Sequence, residues 1–304
     1  MISQAIEEVQ CSLCGKSEVS IVYKSDFLDL SEAADIKYNY SAEESQYKTG
    51  RIVRCLTCGL IYVSPRIRGV EKKYETETVD ERYLRSMPQR NLTFERDIKR
   101  INKIISPGSI LDIGCSCGAF LEIARRYGWE TCGIELNRQA LDISHSKGLC
   151  VHGKTLKEIS FEGSVFDVIT MWGVVEHFSD PLSELREMAR ILRNGGYLFI
   201  TTADVSTLIA NILGKKSPCY LGQHLYYFSK KTLAQMLRKS GFSVLEINSH
   251  SQFLQTSYFL EEVTNRYSTI GKILNMFASL SKLDKSFLKS SLFGLEIMAV
   301  AKKV

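Results

Sequence analysis

Three groups of residues in this 304-residue chain have types and spacing suited to chemistry. The first is Asp112, Gly114, Cys115, Ser116, Cys117 and Gly118, which follow the apolar run Ser109–Leu111. About twenty residues later Glu135 closes a second apolar run, a distance at which such an acid meets a ribose. Glycines let a backbone approach a ligand, and the acid accepts hydrogen bonds from ribose hydroxyls. The second group is His177 and His224, each among polar and aromatic neighbours; an imidazole titrates near neutrality and suits proton transfer. The third is Cys11 and Cys14 with Cys55 and Cys58, two Cys-x-x-Cys-Gly turns whose four thiolates can close a tetrahedron on zinc.

The elements that position the first group read plainly. Ser109–Ile113 is a buried strand, Gly114–Gly118 a turn, and Ala119 opens a helix. Phe166–Met171 reads as the fourth strand. It is followed by Trp172, Glu176, His177 and Pro181, then a helix over Leu182–Leu192 with apolar residues at helical spacing. Arg193–Gly196 turns into the strand Tyr197–Thr202. His224–Ser229 precedes a helix over Lys231–Ser240. Upstream, Phe94, Ile98, Ile101 and Ile104 predict a helix that Ser106-Pro107-Gly108 stops.

The turn is not the G-x-G-x-x-G of dinucleotide sites. It resembles the D-x-G-x-G-x-G turn of class I S-adenosylmethionine methyltransferases, with Asp112, Gly114 and Gly118 matching and Ser116 in place of the middle glycine. Serine is small, and the turn is expected to keep its form with a negative φ there. The segments Val174–Pro181, Leu192–Thr202 and His224–Phe242 are similar, in order, to those of the small-molecule branch. The resemblance runs from about Ser109 to Ile247 and implies an α/β fold. That fold is a doubly wound, Rossmann-like, seven-stranded sheet, mostly parallel with an antiparallel last strand.

The resemblance assigns cofactor contacts to Asp112, Gly114, Cys115 and Gly118 in the turn and to Glu135 at the ribose. Leu136, Thr155 and Leu156 fall beside the adenine. Trp172 stacks near the methionine or adenine, or serves as a core aromatic. His224, on the segment expected to lie over the methyl, is the first candidate for a base, and a structural role fits it equally. His177 is the second, against a packing role. Tyr220, Gln223, Tyr226 and Tyr227 surround His224 and could orient a substrate. Relatives that methylate sugar carbons carry an acid beside this histidine, where this chain has Gln223. His145, His152 and His250 are read as incidental.

The metal implied by the cysteines is structural zinc, because four thiolates leave no open position. The gap between the pairs exceeds the roughly 15–20 residues of an ordinary ribbon, which predicts an inserted loop or hairpin around 28–48. Cys55–Pro65 also resembles the zinc-binding leader of some methyltransferases. The expected division is 1–68 as a zinc-ribbon-like module, 69–108 as a helical linker or lid, and 109–304 as the methyltransferase domain. A helical insertion at about 253–291 precedes the last strand, Leu292–Ala301. Its lysines, Lys272, Lys282, Lys285 and Lys289, offer a face for a membrane surface, a partner or a dimer.

Composition bounds the rest. The net charge is +5, and hydrophobic and charged residues make up 44% and 24% of the chain. These are ordinary values for a globular protein and argue against a nucleic-acid partner. The polar start and the lack of a long apolar run predict a cytoplasmic location, where nine cysteines serve as ligands or buried thiols. The expected function is methyl transfer to a small molecule: a sugar, a lipid or a secondary-metabolite precursor. The alternatives are an RNA methyltransferase that uses the ribbon for RNA contact, and a non-catalytic scaffold that binds the same cofactor. Acidic residues crowd the ribbon region, and Trp172–Val175 stands where base methylation would need Asn-Pro-Pro-Tyr.

Overall fold

A computed structural model describes residues 6–25, 50–69, 75, 79, 81–255, 264, 287–289 and 295–304. The amino-terminal part contains β1 (Ile6–Glu7), β2 (Val19–Tyr23), β3 (Ile52–Cys55), β4 (Ile61–Val63) and β5 (Arg66–Ile67). Strand β3 pairs antiparallel with both β2 and β4, and β1 pairs with β5. Ile52, Val53, Ile61, Tyr62 and Val63 are all buried, so this hairpin is covered on both faces. Val53 and Tyr62 join the main core, Ile52, Ile61 and Val63 pack with Val205, Ala210 and Cys219, and Tyr226 and Tyr227 pair with Tyr62 and Ile61 to complete a four-stranded sheet. The loop or hairpin expected at 28–48 lies outside the described residues.

Two helices follow, α1 (Glu81–Arg85) and α2 (Met87–Ile104). Helix α2 begins before the expected Phe94. Pro88 falls in its first turn, where a missing N–H costs no helical bond. Its buried stripe contains Phe94, Ile98 and Ile101, and also Gln89, Thr93 and Asp97, which demand polar partners.

The main body alternates strand and helix: β6 (Ser109–Ile113), α3 (Ala119–Arg126), β7 (Glu130–Ile134), α4 (Arg138–Ser146), β8 (Val151–His152), α5 (Leu156–Ile159), β9 (Phe166–Trp172) and α6 (Pro181–Ile191). It continues with β10 (Leu192–Ala203), α7 (Leu208–Leu213), β11 (Tyr226–Tyr227), α8 (Lys230–Lys239) and β12 (Phe242–His250). After the short pair β13 (Phe253–Gln255) and β14 (Phe287–Lys289), β15 (Glu296–Lys303) ends the fold. The seven-stranded sheet has the order β12-β15-β10-β9-β6-β7-β8. The run from β10 to β8 is parallel, and β15 lies antiparallel between β10 and β12. The expected α/β class and antiparallel last strand are both present.

Strands β6, β9 and β10 are nearly continuous apolar runs, as a sheet covered on both faces requires. Phe94, Ile98, Ile101, Phe120 and Trp129 pack on one side. Leu185, Met188, Ile191, Leu233, Met236 and Leu237 pack on the other. Burying each such side chain is worth about 1.5–3 kcal/mol. The 253–291 insertion departs from its expected helical form at both described ends, which pair as strands with Lys289 opposite Phe253; Lys272, Lys282 and Lys285 lie outside the described residues. No helix among the described residues is long and apolar enough to cross a membrane. Chain order reverses between β6 and β9, so the crevice beyond their carboxyl ends is where an open α/β sheet binds ligands.

Candidate active site and four-cysteine centre

The turn after β6 lies at that crevice. Gly114 has φ +71, and a Cβ there would sit 2.6 Å from Cγ2 of Val174, two residues past β9. Gly118 has φ +75, and a Cβ would collide with Leu149. Both glycines are therefore required by the close approach of neighbouring segments. Ser116 departs from expectation: its φ is +49, not negative. For a residue with a Cβ this left-handed form costs roughly 1–2 kcal/mol. Two bonds hold it. The Ser116 N–H donates to Glu135 Oε2 at 2.8 Å, and the Ser116 carbonyl accepts from Ser144 Oγ at 2.9 Å.

Glu135 is buried and is fixed from two sides. Its Oε1 accepts the Asn137 N–H at 2.8 Å while Oε2 takes that of Ser116. Burial raises its pKa, and the N–H groups of Asn137, Ser116 and Leu136 pull it back. Each oxygen keeps a lone pair for a vicinal diol. Leu136 is half-buried between Glu135 and the fully buried Asn137, whose side chain caps α4. Tyr83, on α1, hydrogen-bonds with Ser116 and carries the Arg90 guanidinium over its ring at 4.4 Å. A residue of the expected lid thus reaches the turn.

The remaining cofactor candidates have distinct placements. Asp112 is buried, and its Oδ1 accepts from Thr170 Oγ1 at 2.7 Å. Burial, with Glu135 nearby, pushes its carboxyl up to about 8. The Cys115 side chain packs with Leu121, Leu149 and Val151, and its N–H donates to Ile134, so only its backbone borders the turn. Thr155 caps α5 in a capping box with Glu158, and Leu156 is buried in the main core. Trp172 packs against Phe94 and Phe120 (ring centroids 5.8 and 5.0 Å) and stacks near His250 at 6.5 Å. Its buried Nε1 has no partner among the described residues.

His224, His177 and Glu176 converge just past β9. The two imidazoles are edge to face with centroids 4.8 Å apart, and His224 Nε2 is 3.9 Å from Glu176 Oε1. The short helical turn Val175–His177 carries the acid, and the Glu176 carbonyl accepts the Leu225 N–H at 2.9 Å, which pins the His224 segment above it. His177 Nδ1 faces the Gln223 carbonyl at 3.3 Å. Burial lowers His177 to about 4; burial and the neighbouring His177 hold His224 well below the usual range. Both rings are neutral near pH 7. Burial raises Glu176 to about 7. Glu176 Oε2 and His224 Nδ1 have no partner among the described residues. An acid does accompany His224, from a different segment than Gln223. The hydroxyls of Tyr226 and Tyr227 donate to the carbonyls of Ser179 and Leu221, so both are held by backbone.

His250, read above as incidental, is the centre of a buried ionic network. Its Nδ1 is 2.6 Å from Glu296 Oε2 and its Nε2 is 2.9 Å from Asp97 Oδ2. Arg96 pairs with Asp97 at 2.8 Å, and Gln252 Nε2 donates to both Glu296 oxygens. The two carboxylates outweigh burial and raise His250 to about 9. The network ties α2 to the ends of β12 and β15, beneath Trp172.

The four amino-terminal cysteines also converge. Cys11 and Cys58 sulfurs are 3.4 Å apart, as are those of Cys14 and Cys55, and all four lie within 4.8 Å of one another. Tetrahedral zinc with Zn–S near 2.3 Å separates its sulfurs by about 3.8 Å, so the set fits one ion. Each turn closes through a glycine N–H, Gly15 onto Cys11 and Gly59 onto Cys55.

Comparison with known proteins agrees with this geometry. Residues 83–247 match the family model of the methyltransferase domain, and the chain belongs to that family. It is 31% identical over 144 residues to the ubiquinone biosynthesis O-methyltransferase of Albidiferax ferrireducens, covering 43% of this chain and 54% of the relative. With the protein of the same name from Thiobacillus denitrificans it shares 26% over 152 residues, covering 45% and 66%. The chain thus spans about half the length of the curated relatives it matches. An Archaeoglobus fulgidus SAM dependent methyltransferase superimposes with a TM-score of 0.51 at 20% identity, over 74% of this chain and all of the other, a likeness of fold.

Proposed function

We propose that this chain is an S-adenosylmethionine-dependent methyltransferase acting on the oxygen of a small-molecule acceptor. One observation carries the reading. Trp172 Nε1, Glu176 Oε2 and His224 Nδ1 are buried polar atoms without partners among the described residues, the first two at and just past the end of β9, where Val174 packs on the Gly114 turn. Buried polar groups in folded proteins are satisfied, and an orphaned set in a crevice is what a ligand completes. The family and the O-methyltransferase relatives support the same reading.

The residues fit the cofactor. Glu135 holds the ribose diol, and the Gly114–Gly118 turn lets the chain approach closely. Leu136 flanks the adenine, and Trp172 closes the crevice. S-adenosylmethionine, when bound, supplies a methyl group activated on a sulfonium. The protein positions the acceptor oxygen and removes its proton. His224 is neutral and presents Nδ1; it accepts the hydroxyl proton there. Glu176, facing Nε2, stabilises the imidazolium that forms. His177 packs edge-on against His224 and sets its plane. Water is kept out by Phe94, Phe120 and Trp172 packing together.

The acceptor class we favour is a hydroxylated aromatic or lipid, in keeping with the ubiquinone relatives; sugars and secondary-metabolite precursors are the next to test. The four-cysteine centre holds zinc structurally, and the functional division remains 1–68, 69–108 and 109–304. The unpaired thiols suit a cytoplasmic location. A second reading rests on Glu176, His177 and His224, whose ligand atoms also lie within 4.8 Å of one another, a set that could hold a divalent metal against the acceptor.

The test is transfer of labelled methyl from S-adenosylmethionine to a panel of catechols, phenols, sugars and polyprenyl phenols. Glu176→Gln serves as control, and bound transition metal is counted in wild type and in His177→Ala beside turnover. Product on an oxygen, lost in the control, supports the proposal. Absence of transfer to every member by a protein that binds the cofactor leaves the scaffold reading. A bound equivalent present in wild type and absent from His177→Ala moves the site to the metal-assisted form.

A further inference from the structure

A second cluster of soft donors lies at the outer edge of the parallel sheet, one backbone bond from Glu135, whose N–H donates to the His152 carbonyl at 3.1 Å. Strands β7 and β8 are parallel and in register, with Gly133 opposite Val151 and Ile134 opposite His152. One step back along each strand stand Cys132 and Cys150. Side chains alternate across a sheet with a period of two. Cys150 and His152 therefore share one face, and Cys132 is beside them on the neighbouring strand. The Cys132 and Cys150 sulfurs are 4.0 Å apart, and the ligand atoms of all three residues lie within 4.8 Å of one another.

We propose that Cys132, Cys150 and His152 form a second transition-metal site, with three protein ligands and a fourth position open to water. Two thiolates and an imidazole select zinc or another borderline-to-soft ion over magnesium or calcium. Tetrahedral zinc sets its sulfur and nitrogen ligands roughly 3.5–3.8 Å apart. The sulfurs, 4.0 Å apart, already stand close to that spacing. Burial grades across the set: Cys132 and His152 are half-buried and Cys150 is exposed, so the ion has a path from solvent. The His152 ring is braced edge-on by Phe161, with centroids 5.7 Å apart and planes at 77°. The open position separates this site from the closed four-cysteine centre. Strand β8 is a two-residue edge strand, and the ion would staple it to β7, which runs directly into Glu135.

Cobalt titration of the full chain tests the site. The chain is first stripped of metal by chelation and kept reduced. Wild type is expected to show thiolate-to-cobalt absorption for two equivalents. One equivalent is expected to vanish in Cys150→Ser and to weaken at least tenfold in His152→Ala, while persisting in Cys11→Ser, which removes only the other. The proposal fails if no equivalent is sensitive to Cys150→Ser, or if the sensitive equivalent is also lost in Cys11→Ser. It fails equally if peptide mapping of the air-equilibrated chain finds a Cys132–Cys150 disulfide and the reduced chain binds no cobalt there; the pair would then be a dithiol and not a metal site.

Discussion

Glu176 Oε1 lies 3.9 Å from His224 Nε2, and both residues are buried at the carboxyl end of β9. The pairing couples an acid poised near pH 7 to an imidazole held neutral, and it leaves Nδ1 facing the crevice. Under the proposed mechanism, Glu176→Gln preserves shape and hydrogen bonding but removes the charge that stabilises the imidazolium. Turnover is expected to fall by about 10²–10⁴-fold, the usual contribution of a positioned base. Cofactor binding should remain within a few-fold of wild type. Because Glu176 ionises near 7, wild-type turnover should rise as pH increases through about 7, and the variant should lose that limb. A pH–rate profile of both proteins on one acceptor checks this.

Glu135 accepts two backbone N–H groups as well as the expected ribose, so its substitution removes more than a ligand contact. Glu135→Ala leaves the Ser116 and Asn137 N–H groups buried and unpaired, at about 1–3 kcal/mol each. Calorimetry with S-adenosylmethionine or its demethylated product should show binding weakened at least tenfold, together with a lower melting temperature. Glu135→Gln, which keeps one acceptor oxygen, should fall between the two. Binding unchanged in Glu135→Ala would remove the assigned pocket.

Ser116 offers the opposite experiment. Its φ of +49 is strained for serine and free for glycine. Ser116→Gly should relieve about 1 kcal/mol of strain but gives up the Tyr83 bond to the Ser116 side chain, also about 1 kcal/mol, so its Tm should stay within roughly 2 °C of wild type, with cofactor binding retained. Ser116→Val should destabilise it. Thermal melts of both variants decide whether the bonds to Glu135 and Ser144 hold the residue in a left-handed form.

The parts of this site that were legible in sequence are those fixed by local backbone geometry. Gly114 and Gly118 announce a turn because only glycine tolerates Val174 and Leu149 at that distance, and Glu135 follows from the strand that precedes it. The cysteine pairs announce themselves by spacing. The acid beside His224 escaped because adjacency in sequence points to Gln223, whereas the partner arrives on the turn after β9. Glu176 stood in plain view next to His177, and pairing the two segments across the crevice would have found it. His250 escaped for the same reason. Its partners Asp97 and Glu296 come from α2 and β15, and only the closing of the sheet by β15 brings them together. The conformation of Ser116 depends on Glu135 and Ser144, which residue size alone does not reveal.

The network around His250 sets a pH dependence of stability. Asp97 and Glu296 face the ring from two sides, and Arg96 approaches from α2. Its folded pKa of about 9 lies above the ordinary 6.5. The stabilisation is therefore complete below about pH 6.5 and is lost as pH rises through about 9. A shift of that size corresponds to roughly 3 kcal/mol at most. Asp112 and Glu176, both raised, lose stability between their ordinary values and about 8 and about 7 respectively, a window that overlaps this one, so the comparison must be with His250→Gln and not with wild type alone. The gap in Tm between the two proteins should be widest near pH 6 and should narrow by pH 9.5. A gap that stays constant across that range would mean His250 does not carry a proton in the folded protein.

The four-cysteine centre is tied to the candidate base through one short ladder. Strand β4, which follows Cys58, pairs with β11, so that Tyr62 faces Tyr226 and Ile61 faces Tyr227. The Val63 N–H donates to the Leu225 carbonyl at 2.9 Å, and Leu225 in turn donates to Glu176. His224 therefore sits one residue from a strand whose register depends on the amino-terminal hairpin. A hairpin this small has little core of its own, and a structural metal held by the four cysteines would supply much of its folding energy. Removing that metal should loosen the β4–β11 pairing first and leave the Gly114 turn and Glu135 intact. Chelation, or Cys11→Ser, is then expected to lower turnover at least tenfold while the demethylated cofactor binds within a few-fold of its usual affinity. Hydrogen exchange should show lost protection at Val63, Leu225 and Tyr227, with β6 and β7 unchanged. If turnover survived complete metal removal, the hairpin would hold its register without the ion. If cofactor binding collapsed together with turnover, the centre would support the whole fold and not the His224 segment in particular.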